Sequence, residues 1–450
     1  MAGGSRAPRS RLNFGTDGVR GVANQDLTPE LALLLGRAAG HVLGGPGHRV
    51  VIGRDTRRSG RMLESALAAG LCSVGVEVRL VGHVTTPGLA YLARTGDAVA
   101  GAVISASHNP ALDNGIKFFD QQGLKLAEGL EQQIEAAMTV SDLPRPTEGG
   151  IGLVGDARGL VKEYEDFLVA LAPRLDRRRV ILDCANGSAY RSAPSVFARA
   201  GADVVAIFDS PDGLNINAGC GSTSPEALQR TVAGSSDAIG FAFDGDGDRV
   251  VAVDHTGALH DGDTLLAIAA RHAVRNGGLT PPVVVGTVMS NGGLEATLAR
   301  DGIVLERVAV GDRNVWERLV QLDAALGGEP SGHLIFRRRS PSGDGILSAL
   351  ELMRVMSATG RSLADLAADI ERWPQVHRNV RVPRRHEWRE VPSFARAYDE
   401  IMRDLGTSGR LIVRPSGTEP VLRITVEARD PLVAAASAGR LEAAAREHLA

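Results

Sequence analysis

Three aspartates within five residues are the strongest chemical signal in the chain: Asp244, Asp246 and Asp248 in the run DGDGDR (244–249). On an uninterrupted strand, residues i, i+2 and i+4 would share one face. The glycines between them let the backbone curl so that all three carboxylates can meet one cation. Without a cation, carboxylates so close together repel one another. Their oxygens suit a hard ion such as Mg²⁺. An EF-hand is excluded, because its loop wants glycine at position six and glutamate at twelve, where this chain has Arg249 and His255.

Four more loops carry reactive side chains. SASHNP (105–110) sets Ser105, Ser107, His108 and Asn109 on a turn closed by Pro110. Adjacent serine and histidine rarely form a nucleophile–base pair and no GxSxG elbow is present, so a hydrolase triad is not supported. Read alone, the segment is an Asx or Ser turn. It gains weight from DNGIK (113–117), which brings Lys117, one of only three lysines beside 47 arginines. FGTDGVRG (14–21) combines a glycine-rich backbone with Arg20, a pattern that can cradle phosphate oxygens. The Walker pattern GxxxxGK[ST] is absent, which disfavours an ATPase. RPSGTEP (414–420) offers Arg414, Ser416, Gly417 and Thr418, a set suited to a phosphate monoester. GEPSGH (328–333) offers Glu329, Ser331 and His333: a carboxylate, a hydroxyl and an imidazole that suit sugar hydroxyls or an amine.

The elements that must hold these loops repeat. RVVIG (49–53), RVILD (179–183) and PVVVG (282–286) are short β-branched runs with the length of buried strands. Each leads into an Ala- and Leu-rich helical pattern, at 60–73, 190–200 and 292–300. A glycine stands past each helix, Gly75, Gly201 and Gly302, as at a helix C-terminus. A second strand follows, at 76–81, 202–208 and 302–308. Three β-α-β units predict parallel strands with right-handed crossovers. After each unit another apolar strand delivers one polar loop: SASHNP, DGDGDR and GEPSGH in turn. Ligands of open α/β sheets bind beyond strand ends, so three such loops predict one shared site in a central cleft. The segment 372–392, with three prolines and many arginines, reads as a connector. After it come a helix (393–405), strands at 410–414 and 421–428 flanking the 415–420 loop, and a final Ala-rich helix.

The expected architecture is therefore α/β: three topologically related domains with mixed sheets and a smaller C-terminal α+β domain. The expected boundaries are an N-terminal tail over 1–11, then domains at 12–150, 151–260, 261–375 and 376–450. The chain has 450 residues, 44% hydrophobic, with a net charge of −3, which supports packed cores and excludes the basic footprint of a nucleic-acid binder. The three cysteines, Cys72, Cys184 and Cys220, are odd in number and lack CxxC spacing, against a disulfide framework or a zinc site. The apolar stretch 31–43 is interrupted by Gly36, Arg37 and His41, so no membrane span is expected. A cytoplasmic protein is the expectation.

FGTDGVRG, SASHNP, DGDGDR, GEPSGH and RPSGTEP, in that order over nearly the whole chain, resemble the α-D-phosphohexomutase superfamily. The resemblance implies an isomerase of hexose phosphates that moves a phosphoryl group between the 6- and 1-positions through a bound 1,6-bisphosphate. By motif, Ser107 resembles the serine that carries the phosphoryl group, loaded by autophosphorylation or by a serine kinase. Asp244, Asp246 and Asp248, with Ser107, resemble the ligands of one Mg²⁺ per chain. Arg20, Lys117 and Arg249 resemble the cationic set around the transferring group, with Lys117 or His108 as the acid/base. Glu329, Ser331 and His333 resemble a sugar-specificity loop. Arg414, Ser416, Gly417 and Thr418 resemble a clamp on the phosphate that is not transferring. SASHNP with SGTEP implies glucosamine 6-phosphate and glucosamine 1-phosphate as the interconverted pair, for cell-wall precursors, with glucosamine 1,6-bisphosphate as intermediate. Glucose or mannose phosphates are the alternative substrates, and a Mg²⁺-dependent sugar phosphatase or a sugar-phosphate sensor the alternative classes.

Overall fold

The computed structural model describes residues 18–235, 237–382, 388–415 and 420–449. The N-terminal tail and part of the FGTDGVRG run lie outside them.

Each of the three units builds the same sheet. In the first, Glu77–His83, Arg49–Arg54 and Ala100–Ile104 lie parallel in that spatial order, and Asp113–Asp120 joins antiparallel to Ala100–Ile104. In the second, Asp203–Ile207, Arg179–Asp183 and Ile239–Phe243 are parallel, and Val250–Val253 turns back against the third strand. In the third, Val304–Val308, Val283–Thr287 and Leu326–Gly328 are parallel, and Leu334–Phe336 turns back. The helices Gly60–Cys72, Ala189–Arg199 and Gly292–Arg300 make the first crossover of each unit. The mixed sheets follow from this hairpin: an antiparallel return needs only a short loop, whereas a parallel one needs a crossover. Every residue of Ala100–Ile104 and of Ile239–Phe243 is buried, as strands covered on both faces require.

The hairpin turns are the three polar loops. Residues 105–112, 244–249 and 329–333 each leave the C-terminal end of the third parallel strand and return on the antiparallel one. The sequence pattern identifies the three parallel strands of each unit, but neither the antiparallel return strands nor the extra pairings at the sheet edges. Val19–Val22 joins the first sheet beside Asp113–Asp120, and Val154–Asp156, which the 150/151 boundary assigns to the second domain, pairs with Glu77–His83.

One expectation needs correction. Part of the segment read as a connector is a strand: Gln375–Arg381 pairs antiparallel with Val421–Ala428, which also pairs with Gly409–Pro415. Arg378 and Arg381 hide its strand character, but Val380 is buried. Val376, Arg378 and Val380 share the packed face, where Arg378 pairs with Glu442 at 3.1 Å, and Arg381 lies on the other face. The helices Pro392–Leu405 and Pro431–His448 cover this three-stranded sheet. Among the described residues, no helix is long and apolar enough to cross a membrane.

Candidate active site

Ser107 sits at the tip of the first hairpin turn, 2% exposed, with its backbone in the left-handed region at φ +50°. Its Oγ donates to Asp244 Oδ2 at 2.5 Å, so the first and second loops meet at the serine. A side chain rarely adopts this backbone conformation unaided, and the structure holds it from beneath. Arg57, wholly buried, donates to the carbonyls of Ser107 (2.9 Å), Asn109 (2.8 Å), Asp113 (3.1 Å) and Pro110. Asp55 pairs with Arg57 Nε at 2.9 Å and accepts from Ser105 Oγ at 2.6 Å, while Ser105 Oγ accepts from the Ser107 N–H. Asn217 adds a bond to the Ser107 carbonyl at 2.9 Å. Gly245 is required by the closeness of the two loops: a Cβ there would lie 2.6 Å from the Ser107 carbonyl oxygen.

The three aspartates are buried and bring one oxygen each within 4.8 Å of one another. Burial, and then repulsion from Asp248 and Asp246, pushes the Asp244 carboxyl well above its ordinary range. Asp246 Oδ2 is held by Thr86 Oγ1 (2.7 Å) and Lys117 Nζ (3.3 Å). Among the described residues, Asp246 Oδ1 and Asp248 Oδ1 find no hydrogen-bond partner, and Asp248 Oδ1 lies 3.8 Å from Arg249 Nε. Buried carboxylate oxygens without a hydrogen bond are costly. Three hard donors with two such oxygens fit a divalent cation bound by oxygen ligands.

Cations surround the serine. Lys117, 3% exposed, lies on Asp113–Asp120. Arg20 lies on the neighbouring strand opposite Gly115, which places it on the same sheet face as Lys117. Arg249 Nη1 is 3.3 Å from His108 Nδ1, and that nitrogen is 3.4 Å from Ser107 Oγ. Burial, with Arg249 and Arg20 nearby, lowers the His108 pKa, so the ring is neutral near pH 7 and able to accept a proton.

The third loop meets the second. Gly332, at φ +92°, passes so close to Val250 that a Cβ would lie 2.1 Å from its carbonyl oxygen. His333 is 4% exposed; its Nδ1 is 3.4 Å from Asp248 Oδ2 and its Nε2 accepts from the Gly343 N–H at 3.2 Å. Both ring nitrogens are thus engaged inside the protein. Glu329 is half-buried, with Oε1 accepting from the Gly311 N–H at 3.1 Å, and Ser331 is exposed. The structure therefore brings together Ser107, His108, Lys117, Arg20, the aspartates and Arg249, and sets the Glu329–His333 loop beside them. Arg414 is half-buried near the end of Gly409–Pro415, opposite Arg423. Ser416, Gly417 and Thr418 lie outside the described residues. Sequence reasoning missed Asp55, Arg57, Thr86 and Asn217. The one available signal was a buried-strand run, RVVIG, ending in the charged residues of RDTR (54–57).

Family models for phosphoglucomutase/phosphomannomutase match four successive parts of the chain: domain I over residues 11–144, domain II over 162–257, domain III over 261–373 and the C-terminal domain over 378–444. The chain belongs to this family, the α-D-phosphohexomutases, and is an isomerase. Its curated relatives include the phosphoglucosamine mutase of Desulforamulus reducens, 51% identical over 422 residues, spanning 93% of this chain and 95% of that one. The phosphoglucosamine mutase of Streptococcus uberis is 49% identical over 424 residues, spanning 92% and 94%. Among solved structures, a phosphoglucomutase/phosphomannomutase family protein of Burkholderia thailandensis superposes with a TM-score of 0.81 at 25% identity, covering 95% of this chain and 96% of that one. The fold is shared with the Aspergillus fumigatus N-acetylphosphoglucosamine mutase solved with GlcNAc-6P and magnesium (TM-score 0.68, 18% identity, 98% and 96% covered).

Proposed function

We propose that the chain interconverts glucosamine 6-phosphate and glucosamine 1-phosphate through a phosphoserine at Ser107 and a bound glucosamine 1,6-bisphosphate. The observation that carries this reading is the 2.5 Å contact between Ser107 Oγ and Asp244, at the meeting point of two family loops. In the forward half-reaction the phosphorus–oxygen bond to Ser107 breaks and one to a sugar hydroxyl forms. The hydroxyl proton passes to His108 Nδ1, 3.4 Å from Ser107 Oγ, or to neutral Lys117, whose Nζ is 3.3 Å from Asp246 Oδ2, and the departing Ser107 oxygen takes up a proton in turn. Phosphoryl transfer needs positioning and charge stabilisation more than covalent help. Arg20 and Arg249 supply fixed positive charge to the transferring oxygens, joined by Lys117 where His108 is the base.

Asp244, Asp246 and Asp248 would hold one Mg²⁺ together with a serine phosphoryl oxygen. When bound, that ion neutralises charge on the transferring group. Glu329 is the residue proposed to read the sugar, and Arg414 with Ser416–Thr418 to hold the other phosphate. After the first transfer, the bisphosphate must turn over without escaping, so that its second phosphate faces Ser107. Curated relatives near half identity that share one substrate name support glucosamine over glucose or mannose.

The test compares kcat/KM on glucosamine 6-phosphate, glucose 6-phosphate and mannose 6-phosphate with a 1,6-bisphosphate primer. Glucosamine 6-phosphate is expected to be the best substrate. A better rate on either of the others refutes the assigned sugar, and release of inorganic phosphate at the isomerisation rate refutes mutase chemistry.

A further inference from the structure

The helix Gly292–Arg300 of the third unit does not present its first N–H groups to water. Gly292 donates to Glu427 Oε2 at 2.7 Å, and Glu427 belongs to the C-terminal sheet, on Val421–Ala428. That carboxylate is wholly buried, and its Oε1 accepts from Gln375 Nε2 at 2.8 Å. Opposite it on the next strand stands Arg410, whose Nη1 lies 3.6 Å from Glu427 Oε2. The same guanidinium donates to the carbonyls of Ser290 (2.6 Å) and Val288 (3.1 Å), in the turn before the helix. A charged pair of one sheet thus grips both N–H and C=O groups of one turn in another domain. From the other side Asp263 accepts from the Asn291 N–H at 2.7 Å, and Asn291 exchanges two bonds with the Trp373 backbone. Within the third domain the turn is closely packed: a Cβ on Gly292 would lie 2.4 Å from the Trp373 ring.

Both ends of this contact lead toward the active site. The gripped turn follows Val283–Thr287, whose neighbour Leu326–Gly328 delivers the Glu329 loop. On the other side, Arg410 and Arg414 share the strand Gly409–Pro415. Four residues apart, they project from the same face, about 14 Å from each other. A buried ion pair adds little net stability; what this one does is tie the turn before the helix to the C-terminal sheet.

We infer that Arg410 and Glu427 are positioning residues that set the phosphate-binding domain against the sugar-reading domain, so that a bisphosphate is retained while it turns over. The inference rests on the proposed phosphomutase reading. It is tested in the full chain with Arg410→Met, Arg410→Lys and Glu427→Gln. Arg410 is one-fifth exposed and replaceable without opening a core. Arg410→Met is expected to raise KM for the hexose phosphate about tenfold, the loss of one charged hydrogen bond. The concentration of added glucose 1,6-bisphosphate needed for half-maximal rate rises by a similar factor, because released intermediate must be replaced. The kcat at saturating substrate and primer stays within about threefold, since the Ser107 cluster is untouched. Arg410→Lys recovers part of the loss, and Glu427→Gln behaves like Arg410→Met. Amide exchange at residues 288–292, which needs no activity, quickens in Arg410→Met and Glu427→Gln. A folded Arg410→Met with wild-type KM, bisphosphate requirement and exchange overturns the inference. A wild-type chain that interconverts no hexose phosphate overturns the proposed function instead, and exchange still reports on the contact.

Discussion

Replacing Arg57 with methionine tests whether the serine turn is held from beneath or merely folds there. The guanidinium is wholly buried and serves four backbone carbonyls besides Asp55. Methionine fills similar space but leaves Asp55 charged, buried and without its partner. Breaking a buried ion pair by removing one side costs about 3–5 kcal/mol. In a domain of this size that is a fall in midpoint of about 6–20 °C for the first unit. The cost has a pH signature. Burial already raises the Asp55 pKa, with Arg57 pulling against it, so losing Arg57 raises it further. A raised folded pKa makes the variant's deficit smallest below about pH 4, where Asp55 is protonated folded or unfolded. The deficit then grows between the folded pKa of the wild type and the higher one of the variant, and levels off above it. Adding Asp55→Asn removes the stranded charge and recovers at least about 1 kcal/mol, although the carbonyls stay unserved. Calorimetry of the single and double variants at pH 4.5 and 7.5 reads all of this. Turnover should fall about a hundredfold in the single variant, the scale of a 1 Å misplacement of a reacting group. An Arg57→Met protein within about 1 kcal/mol of wild type at neutral pH, with normal turnover, would refute the reasoning.

Three other outcomes follow from the same geometry. Asp246→Asn should weaken divalent-cation binding more than about a hundredfold by titration calorimetry, since it removes a ligand and not only its support; unchanged affinity would place the metal elsewhere. Lys117→Met should lower kcat by about 10²–10⁴ while the cation still binds, and wild-type turnover would shift the acid/base role to His108. Glu329→Gln should narrow the preference for glucosamine 6-phosphate over glucose 6-phosphate by about ten- to a hundredfold, the worth of one charged hydrogen bond; an unaltered ratio would clear Glu329 of sugar reading.

The sequence carried the plan of the molecule where the signal was local. β-Branched runs, helical Ala/Leu patterns and terminal glycines placed three repeated units, and the spacing of Asp244, Asp246 and Asp248 exposed the acidic cluster. What stayed hidden depends on long-range contact. Asp55 and Arg57 carry no local motif, because the carbonyls that Arg57 serves and the Ser105 hydroxyl that Asp55 accepts from lie some fifty residues further on. Thr86 looks like the first residue of a helix, yet its hydroxyl holds Asp246. His333 suggests substrate contact by type, yet its burial against Asp248 appears only when two hairpins pack. Gln375–Arg381 alternates weakly, because Arg378 shares the helix-covered face with Val376 and Val380, where it pairs with Glu442 at 3.1 Å, and Arg381 lies on the other face.

The central claim is that Ser107 carries the phosphoryl group, and intact-mass spectrometry tests it most directly. The protein is weighed before and after incubation with a sugar 1,6-bisphosphate and Mg²⁺, beside a Ser107→Ala variant treated identically. The wild-type chain should gain one phosphoryl group, lose it to added hexose monophosphate, and map it to the 105–110 loop. The variant should gain none and turn over no substrate. A phosphorylated Ser107→Ala chain, or one that keeps mutase activity, would contradict the account.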